Sequence, residues 1–141
     1  MQNSYRTIIF DEALKENGLK RTKGRQEVFR ILLLAGRPQS RKQICTKAKN
    51  INSSTVYRIL DVLQRAGVVR IVPQGFKILY ELGEIFVEHH HHAICEKCGD
   101  VQAISCRDLE LVIEKIMATT NMEPSRHHIE LYGICEKCRQ E

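Results

Sequence analysis

Tryptophan is missing from the 141 residues, and aromatic side chains of any kind make up only 6% of them. No apolar run approaches the roughly 18 residues that a membrane-spanning helix needs, which excludes an integral helical membrane protein. The chain does not open with a secretory signal pattern either. The expectation is therefore a soluble, cytoplasmic protein with no membrane partner. Low-complexity sequence is confined to the tract His89–His92, which argues against a disordered chain. What is present is 43% hydrophobic residues, enough to pack one medium domain or two small ones.

Other absences are regional. No histidine precedes residue 89, and Cys45 is the only cysteine before Cys95. Residues 1–82 hold 16 Lys and Arg against 6 Asp and Glu, whereas residues 83–141 hold 6 against 11. The net charge of +5 is thus the sum of +10 and −5. A cationic half suits a polyanionic partner, because Lys and Arg displace condensed counterions from phosphates. Charge alone fits a solvated basic surface equally well.

The basic half reads as helices followed by a hairpin. A first helix is predicted over about 4–17, stopped by Gly18. Thr22 caps a second, with Val28, Phe29, Ile31, Leu32 and Leu33 as its stripe and Ala35-Gly36 as its end. Ser40 and Gln43 form a capping-box signature for a short third helix to about Lys47. Asn52, Ser53 or Ser54 caps a fourth helix that reaches Ala66. There Val56, Ile59, Leu60 and Leu63 share one face, while Thr55, Tyr57, Arg58, Gln64 and Arg65 share the other. Val68–Val72, a turn at Pro73-Gln74-Gly75, and Phe76–Leu82 read as a β-hairpin. This order matches a winged helix-turn-helix whose last helix enters a DNA major groove. Tyr57 and Arg58 are the leading base or phosphate contacts, with packing of Tyr57 on a neighbouring helix as the alternative.

The pentapeptide Ile-Cys-Glu-Lys-Cys occurs at 94–98 and again at 134–138. The pairs Cys95/Cys98 and Cys135/Cys138 supply four thiolates, which suits a closed tetrahedral Zn²⁺ site. Scattered cysteines in a cytosolic chain argue against disulfides, and no βαβ pattern accompanies either pair to support a redox motif. The 36 residues between the pairs exceed a compact zinc ribbon, so a folded unit lies between them. Val101–Ser105 and 126–134 read as strands, and 107–120 as a helix with the stripe Leu109, Val112, Ile113, Ile116 and Met117. This makes a small α+β unit that zinc would staple, since so few residues rarely bury enough core alone.

His89–His92 leads directly into a strand, where alternate residues face opposite sides. His89 and His91 then look one way, His90 and His92 the other, so the run can feed two metal sites. Imidazole accepts Zn²⁺, Fe²⁺, Ni²⁺ and Mn²⁺ alike.

Taken together, the chain resembles the ferric uptake regulator (Fur) family of dimeric, metal-responsive repressors. The carrying residues are Gly18-Leu19-Lys20-Arg21-Thr22 with Arg25, Ser54-Thr55-Val56-Tyr57-Arg58-Ile59-Leu60, His89–His92 with Cys95, Cys98 and Gly99, and His127 leading to Leu131-Tyr132-Gly133-Ile134-Cys135 and Cys138. The resemblance implies an α+β protein with a winged-helix DNA-binding domain at 1–82, a hinge at 83–88, and a metal-binding dimerisation domain at 89–141. It implies a homodimer that binds double-stranded DNA at an AT-rich inverted repeat and silences metal-uptake or oxidative-stress genes. Cys95, Cys98, Cys135 and Cys138 fall on the family's structural zinc site, and His89, His91, Glu110 and His127 on a second site. His90 and His92 fall on a hinge sensory site whose acid would be Glu81, with Glu84 and Glu88 as the alternatives. Lys20, Arg25, Ser54, Thr55, Tyr57 and Arg58 are the implied DNA contacts. The sensed ion would be Fe²⁺ or Zn²⁺, with Mn²⁺ or Ni²⁺ also compatible. The switch would be a population shift in which hinge metal fixes the spacing of two DNA readers.

Several positions depart from the family pattern. Arg37 stands before Pro38 where a metal-binding His is usual, and an Arg cannot ligate metal. His91 replaces the Asp of many iron sensors, which brings the second site closer to zinc-sensing relatives. No Cys precedes the histidine run, although many zinc sensors carry one there. Ala103 stands where the peroxide-sensing branch has an Asp, so that branch ranks lowest. The competing class is a zinc-binding or storage protein with a vestigial helix-turn-helix. An enzyme is not expected, since catalytic zinc needs an open position and a general base, and only His128 and Glu130 are left over for such a role. Cys45 and Cys106 read as buried small residues rather than redox sensors.

Overall fold

The structure, a computed structural model, describes residues 2–140, which divide into two compact units with the boundary between Glu88 and His89. Met1 and Glu141, the outermost residues of the expected domains, lie outside the described residues.

The N-terminal unit runs α1 (Gln2–Glu16), α2 (Lys23–Ala35), β1 (Gln39–Ser40), α3 (Arg41–Lys47), α4 (Ser53–Arg65), β2 (Val69–Gln74) and β3 (Lys77–Leu82). Local chemistry sets the helix ends. The Thr22 side chain accepts the Arg25 amide N–H at the start of α2, and Gly36 ends that helix in the left-handed region at φ 60°, where only glycine sits without strain. Ser40 and Gln43 form a complete capping box on α3. Of the three candidates for α4, Asn52 is the cap, accepting the Thr55 N–H at 2.8 Å.

The unit's core is a single cluster that spans Phe10 and Leu14 of α1, Val28, Phe29 and Leu32 of α2, and Val56, Leu60 and Leu63 of α4, and continues to Val69, Tyr80, Leu82 and Phe86. Gly24 lets α2 and α4 approach closely: a Cβ there would sit 2.9 Å from Ile59 Cδ1. The hairpin pairs antiparallel from Val69↔Leu82 to Gln74↔Lys77, and the two-residue β1 adds to its other edge in the order β1-β3-β2. β1 is too short to leave a periodic signal, and the sequence did not suggest it. Residues 83–88, the expected hinge, belong to this unit. The Gly83 N–H donates to the Val68 carbonyl at 2.9 Å, and the Phe86 ring lies 5.1 Å from that of Phe29.

The C-terminal unit runs β4 (His91–Cys95), β5 (Val101–Ile104), α5 (Arg107–Ala118), β6 (Glu130–Gly133) and α6 (Glu136–Arg139). Its sheet order is β5-β4-β6, with β4 antiparallel to β5 and parallel to β6. The strand expected over 126–134 shrinks to four residues because only Glu130–Gly133 face β4, in register with His92–Cys95. α5 stops at Ala118, where the Thr119 and Thr120 hydroxyls donate to the carbonyls of Ile116 and Met117, offering the backbone an alternative to continued helix. β4 is the central strand, so its histidines are placed on the best-fixed backbone of the unit.

Candidate metal centres and nucleic-acid interface

α4 separates its residues as its periodicity requires. Val56, Ile59, Leu60 and Leu63 are buried, while Ser54, Tyr57 and Arg58 are exposed and Thr55 is half-buried. A phenol and a guanidinium next to each other on an exposed helix face can reach base edges and phosphates. Lys20 is exposed in the loop before α2, and the Arg25 guanidinium donates to its carbonyl, which fixes that basic loop. Sequence reasoning missed Arg41. Its guanidinium lies 5.2 Å from the Tyr57 ring centroid and 5.4 Å from that of Tyr80, and its contact with Tyr80 spans a sequence separation that no local spacing could reveal.

The four expected cysteines come together, with their sulfurs all within 4.8 Å of one another. Cys95 ends β4 and Cys98 lies in the turn that follows, while Cys135 caps α6 and Cys138 sits within it. Cys98 and Cys135 sulfurs are 3.7 Å apart and none of the six cysteines is disulfide-bonded. A tetrahedron with Zn–S near 2.3 Å has edges of about 3.8 Å, so the spacing fits zinc thiolates and is far from the S–S bond length of about 2.0 Å. The Cys135 N–H donates to the Cys95 sulfur at 3.3 Å. That amide, with those of Cys98 and Lys97, brings the Cys95 thiol down to about 6. Burial, with the neighbouring thiols, pushes Cys138 up to about 12. A divalent cation among these sulfurs would favour the thiolate form that burial and neighbouring thiols oppose at Cys138.

A second group forms around Glu110 of α5. His91 Nε2 lies 2.7 Å from Glu110 Oε1, and His127 Nε2 lies 3.0 Å from Glu110 Oε2. His89 Nε2 is 3.6 Å from Oε1 and 3.1 Å from His127 Nε2. The histidines alternate along the run that enters β4: the His89 and His91 rings are 4.9 Å apart, and the His90 and His92 rings form a separate pair at 4.9 Å. The hydrogen bond from His91, aided by the charge of His127 and His89, holds the Glu110 carboxyl below its ordinary range. Three imidazole nitrogens turned toward one carboxylate form a donor set suited to a first-row divalent ion. His91 itself is buried, and its Nδ1 has no hydrogen-bond partner among the described residues.

Other singled-out residues fall as follows. Glu81 is buried on β3 and takes a 2.5 Å ion pair from Arg70, its cross-strand partner, which also reaches Glu84 at 3.1 Å. Arg37 is exposed. Ala103 stands opposite His92 on β5, and its methyl offers no ligand oxygen there. Glu130 accepts the Tyr132 hydroxyl at 2.6 Å, and His128 is exposed. Neither leftover cysteine is fully buried, contrary to expectation. Cys45 is half-buried against the core, but Cys106 is exposed, because it occupies the solvent-facing cap position of α5.

The ferric uptake regulator family model matches residues 16–132, reaching across both units and stopping short of Cys135. A ferric uptake regulation protein of Legionella pneumophila is 31% identical over 139 residues, covering 91% of this chain and 97% of its own. A peroxide-responsive repressor of Staphylococcus epidermidis is 27% identical over 133 residues, covering 92% of this chain and 87% of its own. The solved ferric uptake regulator of Helicobacter pylori, described as having three functional metal binding sites, superposes with a TM-score of 0.82 at 26% identity, covering 100% of this chain and 95% of that one. With helix-wing fold, ligand clusters and matched length in agreement, the chain belongs to the ferric uptake regulator family.

Proposed function

We propose that this protein is a metal-dependent, DNA-binding transcriptional repressor of metal-homeostasis genes, cytoplasmic and homodimeric, which binds an AT-rich inverted repeat when loaded with metal. One observation carries the reading. A single chain keeps a basic helix face in one unit and two ligand clusters in the other, Cys95/Cys98/Cys135/Cys138 and His89/His91/Glu110/His127. The four-cysteine set is assigned to structural Zn²⁺, and the set of three histidines and Glu110 to a second ion. When bound, these ions supply charge neutralisation and cross-linking of strand, helix and C-terminal knuckle, with no redox demand on the protein. Fe²⁺ or Zn²⁺ is the proposed regulatory ion, with Mn²⁺ or Ni²⁺ compatible with the same donors.

The hinge sensory site of His90, His92 and Glu81 belongs to the same proposal. Its acid already has a buried cationic partner in Arg70, and Arg37 contributes no ligand, so this site leans on the two histidines. Dimerisation draws support from α5, of whose twelve residues none is buried although it carries an apolar stripe. Ile116 is 58% exposed and Val112 50%, and a contiguous exposed apolar face is the kind of surface that meets a partner. A peroxide-sensing role is disfavoured by Ala103 opposite His92, despite the likeness to the staphylococcal repressor.

The test is duplex binding by the full-length, metal-loaded protein against salt. A regulator binds with steep salt dependence that Arg58→Ala greatly weakens. A storage protein with a vestigial helix-turn-helix would bind weakly and show no response to that substitution.

A further inference from the structure

We infer that Arg41 is a backbone-phosphate contact of the DNA reader, held in position by Tyr57 and Tyr80. The inference rests on the reading of α4 as the recognition helix.

Arg41 opens α3, and its side chain leaves its own helix to lie against rings from two other elements. The guanidinium carbon is 5.2 Å from the centroid of Tyr57 on α4 and 5.4 Å from that of Tyr80 on β3. Its Nε–H donates to the Tyr80 hydroxyl at 2.5 Å. Tyr80 is buried and paired with both Gln39 and Ile71 in the sheet, so it is a rigid anchor. A long side chain that normally keeps much rotamer freedom is thus fixed by two rings and a hydrogen bond before any ligand arrives.

The fixed group is also under-used. A guanidinium carries five N–H donors, and Tyr80 takes one. Among the described residues no acceptor meets the four on Nη1 and Nη2, and Arg41 is exposed. Four donors in a planar fork, preorganised and open to water, suit a tetrahedral anion that accepts two parallel bonds. Location names the anion's source. In a helix-turn-helix the first helix crosses the nucleic-acid backbone while the second enters the groove. Arg41 belongs to the first helix, α3, and touches the exposed face of the second at Tyr57, the neighbour of Arg58. A phosphate flanking the groove is the group it would meet. Such a contact sets register and orientation without reading sequence. Its partner Tyr57 is steadied at the same time, which links the two tasks.

The experiment uses the full-length, zinc- and manganese-loaded protein and a fluorescent duplex selected on it from a random pool, with a scrambled duplex as control. Affinity is measured across salt concentrations for the unsubstituted chain and for Arg41→Gln, Arg41→Lys and Arg58→Ala. Zinc content and thermal unfolding report that each variant is folded. Arg41→Gln is expected to weaken binding roughly tenfold or more, by the same factor on both duplexes, and to lower the salt slope by about 0.9 per protomer. Arg41→Lys should restore the slope while recovering only part of the affinity, since an ammonium keeps the charge and loses the fork. A weakened Arg41→Gln with an unchanged slope would show that Arg41 only props up Tyr57, and would overturn the inference. So would an unchanged affinity. If Arg58→Ala also leaves binding intact, the reading of α4 fails with it; if Arg58→Ala abolishes binding while Arg41→Gln does not, only Arg41 is misassigned.

Discussion

The two units solve the same problem by different means. The N-terminal unit buries one continuous cluster of apolar side chains from Phe10 to Phe86. In the C-terminal unit, among the described residues, the buried set is Ile94, Cys95, His91 and His92. Three of those four are metal-ligand types. Apolar burial stabilises the first unit, at roughly 25 cal/mol per Å² of surface removed from water. The second buries little of it, and carries instead the four-cysteine group and the histidines around Glu110. Its amphipathic helix α5 has no buried residue, and Val112 and Ile116 of its apolar stripe are exposed. On the proposed reading, the unit with the smaller apolar core is also the one that carries the metal ligands.

That contrast can be broken most severely at Cys135. Cys135→Ser, or removal of zinc by a strong chelator, is expected to cost the C-terminal unit its fold while sparing the other. Hydrogen exchange should show lost protection across β4 and α5 with α2 and α4 unaffected; full protection throughout would contradict it. The converse substitution is Leu60→Ala. It should destabilise the N-terminal unit by about 2–5 kcal/mol without loss of zinc, read by unfolding and elemental analysis together.

Ile116→Glu tests the uncovered helix. It should leave the metal sites filled and weaken self-association by about tenfold or more in sedimentation. An unchanged dimer would place the contact elsewhere. The smallest effect is in protons. Zinc uptake at neutral pH should release protons from Cys138, which is pushed to about 12, and from Cys98, which is raised as well. Cys95, at about 6, is already ionised and contributes little. Zinc affinity therefore falls as pH falls, and an indicator-dye titration that detects no release would contradict the thiol assignment.

Legibility in the sequence followed the range of the interactions. Thr22, the Ser40–Gln43 box and the 3.6-residue stripe of α4 act within a few turns at most, and each appears where the spacing put it. The repeated Ile-Cys-Glu-Lys-Cys declared two halves of one cluster, because a C-x2-C pair is itself a local geometry. Glu110, by contrast, looks like any exposed helix acid, and only the family resemblance placed it with His89, His91 and His127. Arg41 carried no signal, since its meaning lies in Tyr57 and Tyr80, brought near by folding. The sequence over 126–134 suggests a longer strand than the observed Glu130–Gly133, because its length is set by its partner β4, a non-local limit that alternation cannot express. The exposure of Cys106 is illegible for a related reason: a small apolar residue at a helix cap looks the same in sequence whether its helix is covered or bare.

The central claim is that metal held by the C-terminal unit governs DNA binding by the N-terminal one. The direct measurement is the affinity of the dimer, with its structural zinc retained, for a selected duplex as Fe²⁺, Mn²⁺, Zn²⁺ and Ni²⁺ are each titrated. At least one ion is expected to tighten binding by about tenfold or more, with the response lost in His89→Ala/His91→Ala. An affinity that stays flat through all four titrations would contradict the account.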